Sequence, residues 1–225
     1  MNYNMANVDL SKKSAALKAV EYIEDNAIIG LGTGSTMAYA LEAIARRIKE
    51  EELKIKGIPT SIETEKIAKK LGIPITTLDQ NPSINLAIDG ADEVDKKLNL
   101  IKGKKGALTR EKIVASAALE FIVIVDESKR VNKIGNTPVP IEVLPFAVKF
   151  VDNELREIGG MPKLREKFVT DNGNFIIDVK IDIKDPLDME CTLNNIPGII
   201  ENGIFAVRIP DRVIIGKGKD TEILE

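Results

Sequence analysis

Short apolar runs alternate with segments of helical periodicity through the first half of the chain. Residues 27–32 (AIIGLG) are apolar and end in glycine, whereas residues 36–51 (TMAYALEAIARRIKEE) place apolar side chains at helical spacing. The alternation continues with strands predicted at 53–60, 73–78, 84–89 and 121–126, and with helices predicted at 61–72 and 108–120. Strands that alternate with helices indicate an α/β fold with a Rossmann-like, mostly parallel sheet and helices on both faces.

The order of elements changes beyond residue 130. Apolar runs and turn residues there predict strand, helix, strand, strand, helix and strand, at 138–144, 145–160, 163–169, 174–181, 186–198 and 198–206. This is the order of a ferredoxin-like α+β domain. We therefore predict one domain from residues 1–130 and 207–225 and a smaller one from residues 131–206. The run RVIIGK at 212–217 is predicted to return to the first sheet.

Composition narrows the class of protein. The 225 residues are 44% hydrophobic and 30% charged, as in a soluble globular protein, and the net charge of −3 does not indicate a nucleic-acid partner. No apolar run approaches the roughly 20 residues of a membrane span, and the N-terminus lacks an apolar signal core, so a cytoplasmic protein is predicted.

The chain contains no histidine and a single cysteine, Cys191. Ser-His triads, multi-cysteine metal sites and an internal disulfide are therefore excluded. Any acid–base chemistry must use carboxylates, lysines, tyrosines or the thiol.

The first candidate site is the turn after the strand at 27–32. Residues 32–36 (GTGST) bring two glycines and two hydroxyls to the start of a helix, where backbone N–H groups can bind a phosphate. The segment is not a Walker A loop, and Met37 replaces the third glycine of a dinucleotide fingerprint. The alternative interpretation is a tight turn with a Ser or Thr helix cap.

The second candidate is LAIDGADEVD, where Asp89 ends a strand and Asp92 follows three residues later. Open α/β sheets bind ligands outside the carboxyl ends of their strands, which favours a functional role. An Asp-rich surface turn is the alternative. A magnesium site from Asp89, Asp92, Glu93 and Asp95 is conceivable, but the spacing matches no metal-binding pattern.

The third candidate is IKGKKGALTREKI at 101–113, which combines lysines, glycines and the lone carboxylate of Glu111. Thr109 could cap the following helix, but Lys112 occupies the position where a capping box needs Glu or Gln. Glu111 is either a first-turn carboxylate that favours the helix dipole or a functional group. The lysine and glycines of the same loop favour function.

The blocks GLGTGST, DGADEVD, IKG…GALTREKI and VDESK, in this order and spacing, resemble the type A ribose-5-phosphate isomerase family. TDNGNFIIDV and NNIPGI extend the resemblance into the second domain. It implies an aldose–ketose isomerase that interconverts ribose 5-phosphate and ribulose 5-phosphate in the non-oxidative pentose phosphate branch. It also implies a homodimer or homotetramer, no metal or other cofactor, and a second domain that serves as a lid or oligomer interface.

The resemblance also implies roles for single residues. Glu111 matches the proton acceptor, and Asp89, Asp92 and Lys102 are candidates for opening the sugar ring, with the division of labour left open. The substrate-binding positions that it implies are Lys12, Thr33, Gly34, Ser35, Thr36, Asp89, Gly90, Ala91, Asp92, Lys102, Gly103 and Lys129. One carboxylate can move a proton between two neighbouring carbons through an enediol(ate), so this chemistry needs no histidine.

The chain departs from the family pattern after Gly103, where Lys104 and Lys105 replace a run of glycines. A lysine with positive φ would cost roughly 1–2 kcal/mol, so these residues are not expected to contact substrate through a glycine-like backbone.

A non-catalytic phosphosugar sensor is the main rival function. An amino-sugar phosphate deaminase and a coenzyme A transferase fit the sequence less well. The deaminase is expected to use a histidine, which the chain lacks, and the transferase a glutamate nucleophile in a different motif.

Overall fold

The computed structural model describes residues 2–225, with side chains from residue 7 onward, and the chain forms two compact units. The first unit comprises the residues up to Gly90 together with Ile113–Lys129 and Pro210–Glu225. The second comprises Ala91–Lys112 and Arg130–Ile209. Residues 91–112 therefore group with the second unit, although the sequence assigned them to the first domain.

Helices and strands alternate along most of the chain. The helices are α1 (Asn2–Val20), α2 (Ser35–Glu50), α3 (Ile62–Lys70), α4 (Leu108–Ala117), α5 (Val148–Glu157) and α6 (Pro186–Asn194), with 3-10 turns at Glu127–Lys129 and Pro145–Ala147. The strands are β1 (Ala27–Leu31), β2 (Ile55–Pro59), β3 (Ile84–Asp89), β4 (Glu93–Val94), β5 (Leu100–Ile101), β6 (Ala118–Asp126), β7 (Val139–Val143), β8 (Met161–Leu164), β9 (Phe175–Lys180), β10 (Ile199–Asn202), β11 (Ile204–Phe205), β12 (Arg212–Lys217) and β13 (Asp220–Leu224).

The first unit is built on a six-stranded sheet with the order β13-β12-β6-β3-β1-β2. The five strands from β12 to β2 pair in parallel, and β13 closes one edge antiparallel to β12. The central strands are apolar almost throughout, as expected where both faces of a parallel sheet are covered. The strand predicted at 212–217 is confirmed as β12.

Helix α1 was not predicted from the sequence. It contributes mainly small side chains to the core, and Ala15, Ala16 and Ala19 are fully buried. A helix that packs through alanines lacks the stripe of large apolar residues by which amphipathic helices are recognised.

The second unit contains the predicted strand and helix order from β7 to β10. Its four-stranded sheet has the order β10-β7-β9-β8, and every pairing is antiparallel. The first strand thus lies between the fourth and the third, as in ferredoxin-like folds. A small sheet with the order β11-β5-β4 completes the unit. The predicted α/β class with a smaller ferredoxin-like part is confirmed.

The strand predicted at 73–78 is wrong. This segment makes one isolated bridge, in which Ile75 lies opposite Gly57 of β2. The Pro74 carbonyl accepts from the Gly57 N–H at 2.7 Å, and the Thr76 N–H donates to the Gly57 carbonyl at 2.9 Å. Since proline has no N–H to donate, the pairing does not extend into a ladder.

Two further strands are shorter than predicted. The strand predicted at 163–169 ends at Leu164 as β8, and Lys167 takes a left-handed conformation with φ of 53° that an extended chain cannot continue through. The single strand predicted at 198–206 is divided at Gly203 into β10 and β11, which belong to different sheets. No helix among the described residues is long and apolar enough to cross a membrane.

Candidate active site

The predicted residues of the first unit lie where neighbouring parallel strands end. Strands β6, β3 and β1 are adjacent in the sheet, and Asp89 at the end of β3 lies in register with Val123 of β6. Residues 32–36 follow β1, Asp89 and Gly90 close β3, and the turn Glu127–Lys129 follows β6. The carboxyl ends of such strands are the usual ligand-binding edge of an open α/β sheet.

The glycine-rich turn leads directly into α2. Gly34 is the N-cap residue, with φ of 123° and ψ of −179°, a conformation available essentially to glycine alone. It provides no side-chain cap, so the alternative of a Ser or Thr cap is not supported. Ser35 is exposed and Thr36 is half-buried at the first turn of α2. Helix N-termini of this kind attract anions.

The hydroxyl of Thr33 points into the protein rather than to the surface. Thr33 Oγ1 lies 2.8 Å from Thr60 Oγ1 and 2.8 Å from Ser61 Oγ, and it also contacts Thr64 Oγ1 at 3.1 Å. Ser61 in turn caps α3 by accepting from the Thr64 N–H. This buried hydroxyl cluster fixes the turn after β1 against the start of α3.

Asp89 is buried and fastened to the same turn. Its Oδ1 accepts from the Thr33 N–H at 3.0 Å and from the Gly90 N–H at 2.7 Å. Gly32 packs so closely against this carboxylate that an added Cβ would lie 2.1 Å from Oδ1. The conformation of the glycine-rich turn and the orientation of Asp89 therefore depend on each other.

The two lysines predicted in the first unit occupy less central positions. Lys129 is half-buried in the 3-10 turn after β6, where the Asp126 carboxylate accepts from the N–H and the hydroxyl of Ser128. Lys12 lies half-buried on α1, and its Nζ is 3.9 Å from Oδ1 of Asp9.

In the second unit, Ala91 and Asp92 lead into β4 of the small sheet. The Asp92 N–H donates to the Ile101 carbonyl at 2.8 Å, and Asp92 Oδ2 accepts from the Lys104 N–H at 2.9 Å. This carboxylate therefore holds the backbone of the loop that follows Lys102 and Gly103.

Lys102 and Glu111 form a buried ion pair. Lys102 Nζ lies 3.3 Å from Glu111 Oε2, and the two side chains are only 2% and 4% exposed. Lys102 follows β5, and its N–H donates to the Gly203 carbonyl at 2.9 Å. The ammonium also lies 5.6 Å from the ring centre of Phe205, within range of a cation–π interaction. A carboxylate beside an ammonium in a shielded environment suits proton transfer with stabilisation of developing negative charge.

The loop between the pair places positive φ on its glycines and not on its lysines. Gly103 has φ of 106° and Gly106 has φ of 76°, whereas Lys104 and Lys105 are outside the left-handed region. Both lysines are exposed. Arg165 donates to the carbonyls of Gly103 and Lys104, so this loop is held at its backbone.

Two of the acidic residues weighed as metal ligands have backbone partners. Glu93 accepts from the N–H groups of three successive residues, 135–137, and Asp95 accepts from the N–H groups of Lys97 and Asn99. Within the part of the chain that the structure describes, no group of three or more His, Cys, Asp or Glu side chains could hold a metal ion.

The structure corrects one local expectation at α4 and adds residues that the sequence did not indicate. The helix begins at Leu108, so Thr109 is not its cap, and its hydroxyl donates instead to Glu142 Oε2 at 2.5 Å. Lys112 is bound to Glu190 and lies over the ring of Phe205. These partners lie far along the chain, and no short motif marks them.

Comparison with known proteins identifies the family. The family model described as ribose 5-phosphate isomerase A (phosphoriboisomerase A) matches residues 56–220. The chain belongs to this family. Ribose-5-phosphate isomerase A of Pyrococcus abyssi is 50% identical over 228 residues, which cover 97% of this chain and 99% of the relative. The family of aldose–ketose isomerases that the sequence resembles is therefore confirmed.

Solved structures of the family share the fold. Ribose 5-phosphate isomerase A from Methanocaldococcus jannaschii has a TM-score of 0.93 and 46% identity, with 97% of this chain and 99% of that chain covered. A D-ribose-5-phosphate isomerase in complex with phospho-erythronic acid has the same TM-score and coverage, with 50% identity. These members of the ribose 5-phosphate isomerase family thus share the architecture of this chain.

Proposed function

We propose that this protein interconverts D-ribose 5-phosphate and D-ribulose 5-phosphate through an enediol(ate), with Glu111 as the base. The observation that carries the proposal is the buried pair of Glu111 and Lys102, at 3.3 Å, in a member of an isomerase family. Two relatives that are 48% and 50% identical to this chain are named for the same activity. The isomerisation changes no net oxidation state, so it requires no redox cofactor.

The proposed steps follow from the chemistry of the two side chains. The Glu111 carboxylate takes the proton from C2 of the open-chain aldose, and the resulting carboxylic acid returns a proton to C1 of the enediol(ate). The C1 carbonyl oxygen gains negative charge as the C2 proton leaves, and the Lys102 ammonium stabilises that charge. Transfer of the remaining hydroxyl proton from O2 to O1 completes the ketose.

Substrate binding and ring opening are assigned by the family resemblance. We propose that residues 33–36 contact the substrate, with backbone N–H groups at the start of α2 as the seat for its phosphate. Residues 89–92, Gly103, Lys12 and Lys129 are proposed as further contacts. Ring opening is assigned to Asp89, Asp92 and Lys102 as a set. The phosphate is not consumed, and its binding energy serves to orient the reacting carbons.

The decisive experiment compares wild-type protein with Glu111→Gln in D₂O, with EDTA present. We expect wild-type protein to convert ribose 5-phosphate into ribulose 5-phosphate that carries deuterium at C1, as measured by NMR. Glu111→Gln should lower kcat by about 10²-fold to 10⁴-fold, the usual contribution of a general base. Binding of ribose 5-phosphate to the variant, measured by calorimetry, should stay close to that of the wild type.

Glu65→Gln is the matched control, because Glu65 pairs with Lys69 on the exposed side of α3. The same chemical change there should leave kcat unaltered. Near-normal turnover by Glu111→Gln would reject Glu111 as the base. Saturable binding of ribose 5-phosphate without any conversion by the wild type would instead favour a non-catalytic phosphosugar sensor.

Three broader features remain predictions that follow from the resemblance. The first is assembly into a homodimer or homotetramer, and the second is a role of the second unit as a lid or oligomer interface. The third is that the protein acts in the cytoplasm, in the non-oxidative pentose phosphate branch.

A further inference from the structure

A second buried carboxylate, Glu142, lies in the second unit on β7. The residue is fully buried. Its Oε1 accepts from Thr170 Oγ1 at 2.8 Å, from Asn174 Nδ2 at 2.8 Å and from Asn172 Nδ2 at 3.1 Å. Its Oε2 accepts from Thr109 Oγ1 at 2.5 Å. Hydroxyl and amide donors thus surround the carboxylate on both oxygens.

These contacts join two parts of the chain that carry different sequence blocks. Residues 170–174 (TDNGN) form the turn before β9, whereas Thr109 lies in the first turn of α4, two residues before Glu111. Glu142 is therefore a bridge between the turn and the helix that presents the proposed base. The TDNGN segment has no part in the mechanism assigned above, although it belongs to the sequence blocks that mark the family.

A neighbouring contact supports the same connection. Arg110 Nε donates to Asn172 Oδ1 at 2.8 Å, and an Arg110 guanidinium N–H donates to the Asp171 carbonyl at 3.1 Å. Two consecutive residues of the first turn of α4 thus connect to the same five-residue turn, Arg110 directly and Thr109 through Glu142. Glu111 follows immediately, and its own N–H donates to the carbonyl of Ala107, the residue that precedes α4.

We propose that Glu142 is a positioning residue for the isomerisation, which fixes the first turn of α4 through Thr109 and so sets the place of the Glu111 carboxylate. The inference rests on the proposed function, because it assumes that Glu111 transfers the proton. A base must lie within hydrogen-bond reach of the proton it takes, and misplacement by about 1 Å can cost 10²-fold in rate. A fully buried carboxylate with several donors is a rigid anchor for that purpose.

The test changes Thr109 rather than Glu142, because loss of the carboxylate would leave four donors without their acceptor, among them those of the buried residues Thr170 and Asn174, and endanger the fold. Thr109→Val keeps the shape of the side chain and removes the hydroxyl. We expect kcat for ribose 5-phosphate to fall between about 10-fold and 100-fold, with KM changed less than about twofold. Thr109→Ser restores the hydroxyl and should recover most of kcat.

Thr170→Val is the matched control. It removes the same kind of donor from the same carboxylate, and it also removes the acceptor for the N–H groups of Asn172 and Asn174. Its loss of stability in urea should therefore equal or exceed that of Thr109→Val. Its kcat, measured well below the unfolding transition, should stay within about threefold of the wild type, because Glu142 keeps its bond to α4.

Each outcome decides the inference. A normal kcat in Thr109→Val, an equal loss of kcat in Thr170→Val, or no recovery in Thr109→Ser would overturn the positioning role. The turnover of the wild type and of Glu111→Gln, measured in the same assay, distinguishes failure of the positioning role from failure of the proposed function. If wild-type protein is inactive or Glu111→Gln is active, the proposed function fails first and the inference fails with it.

Discussion

Gly32 shows at the scale of one residue how closely the end of β1 approaches Asp89. A Cβ at this position would lie 2.1 Å from Asp89 Oδ1 and 2.6 Å from the Asp89 Cα. Because the second contact is to backbone, the clash cannot be relieved by rotation of a side chain. We expect Gly32→Ala to lower the free energy of unfolding by about 1–3 kcal/mol, the usual cost of overpacking. It should also lower kcat/KM, since Asp89 is proposed to act on the substrate.

Urea denaturation and steady-state kinetics would measure both effects. Gly90→Ala is the control for stability, because the nearest atom to an added Cβ there is the Ile124 carbonyl oxygen at 3.8 Å. An ordinary contact of that length should change the free energy of unfolding by no more than about 0.5 kcal/mol. Equal stability of the two variants would show that the close packing of Gly32 against Asp89 does not affect stability.

At the residue scale, the sequence predicts positions in the fold where those positions depend on local order. Asp89 could be singled out because it ends an apolar run, and the glycines at 32 and 34 because they interrupt one before a helix. The placement of Lys102 beside Glu111 could be anticipated, since only eight residues separate them. The partners of Thr109 and Lys112 could not, because Glu142 and Glu190 are distant in sequence and become neighbours only through the fold.

Lys112 belongs to the scale of elements, because it ties α4 to α6, β10 and β11. Its Nζ bonds Glu190 Oε1 at 2.8 Å, Glu201 Oε1 at 2.9 Å and the Ile204 carbonyl at 2.7 Å. Lys112→Met would leave the buried charge of Glu190 without its cation. We expect the free energy of unfolding to fall by about 3–5 kcal/mol, as when one partner of a buried ion pair is removed.

Chemical denaturation of Lys112→Met and Lys69→Met would test this expectation. Lys69 pairs with Glu65 at 2.5 Å, but the two side chains are 61% and 36% exposed, so loss of this pair should cost no more than about 1 kcal/mol. The double variant Lys112→Met, Glu190→Gln should recover part of the lost stability, because the second change replaces the buried carboxylate, which has lost its cation, with a neutral amide. If Lys112→Met were no less stable than Lys69→Met, the network would not anchor the helix.

At the same scale, the elements that were not predicted from the sequence share a physical cause: they lack a strong apolar pattern or are very short. Helix α1 buries alanines, and β13 is an edge strand whose side chains are half-buried or exposed, so neither has a strong apolar pattern. Strands β4 and β5 are two residues long each. The strand predicted at 73–78 is the opposite error: the apolar alternation lies beside the edge strand β2, but Pro74 has no N–H with which to extend the pairing.

At the scale of the whole molecule, the first unit is assembled from three stretches of chain, and the last of them is Pro210–Glu225. The sequence anticipated this return from the apolar run at 212–217. It did not anticipate that residues 91–112 group with the second unit. Their two short strands pair with each other and with β11, a partner about 100 residues later. Such a pairing is set by tertiary structure and leaves no periodic signal.

The return of the chain at β12 leads to a prediction about truncation. In β12, Val213, Ile214 and Ile215 are fully buried, and the strand lies between β6 and β13. Burial of one such side chain contributes about 1.5–3 kcal/mol, and a whole domain is stable by only about 5–15 kcal/mol. Removal of residues 210–225 should therefore abolish the cooperative thermal transition seen by circular dichroism.

Removal of residues 220–225 alone deletes the edge strand β13 and should leave a folded protein with a lower Tm. A cooperative transition in the longer truncation, within a few degrees of the full chain, would mean that the six-stranded sheet does not depend on its returning strand.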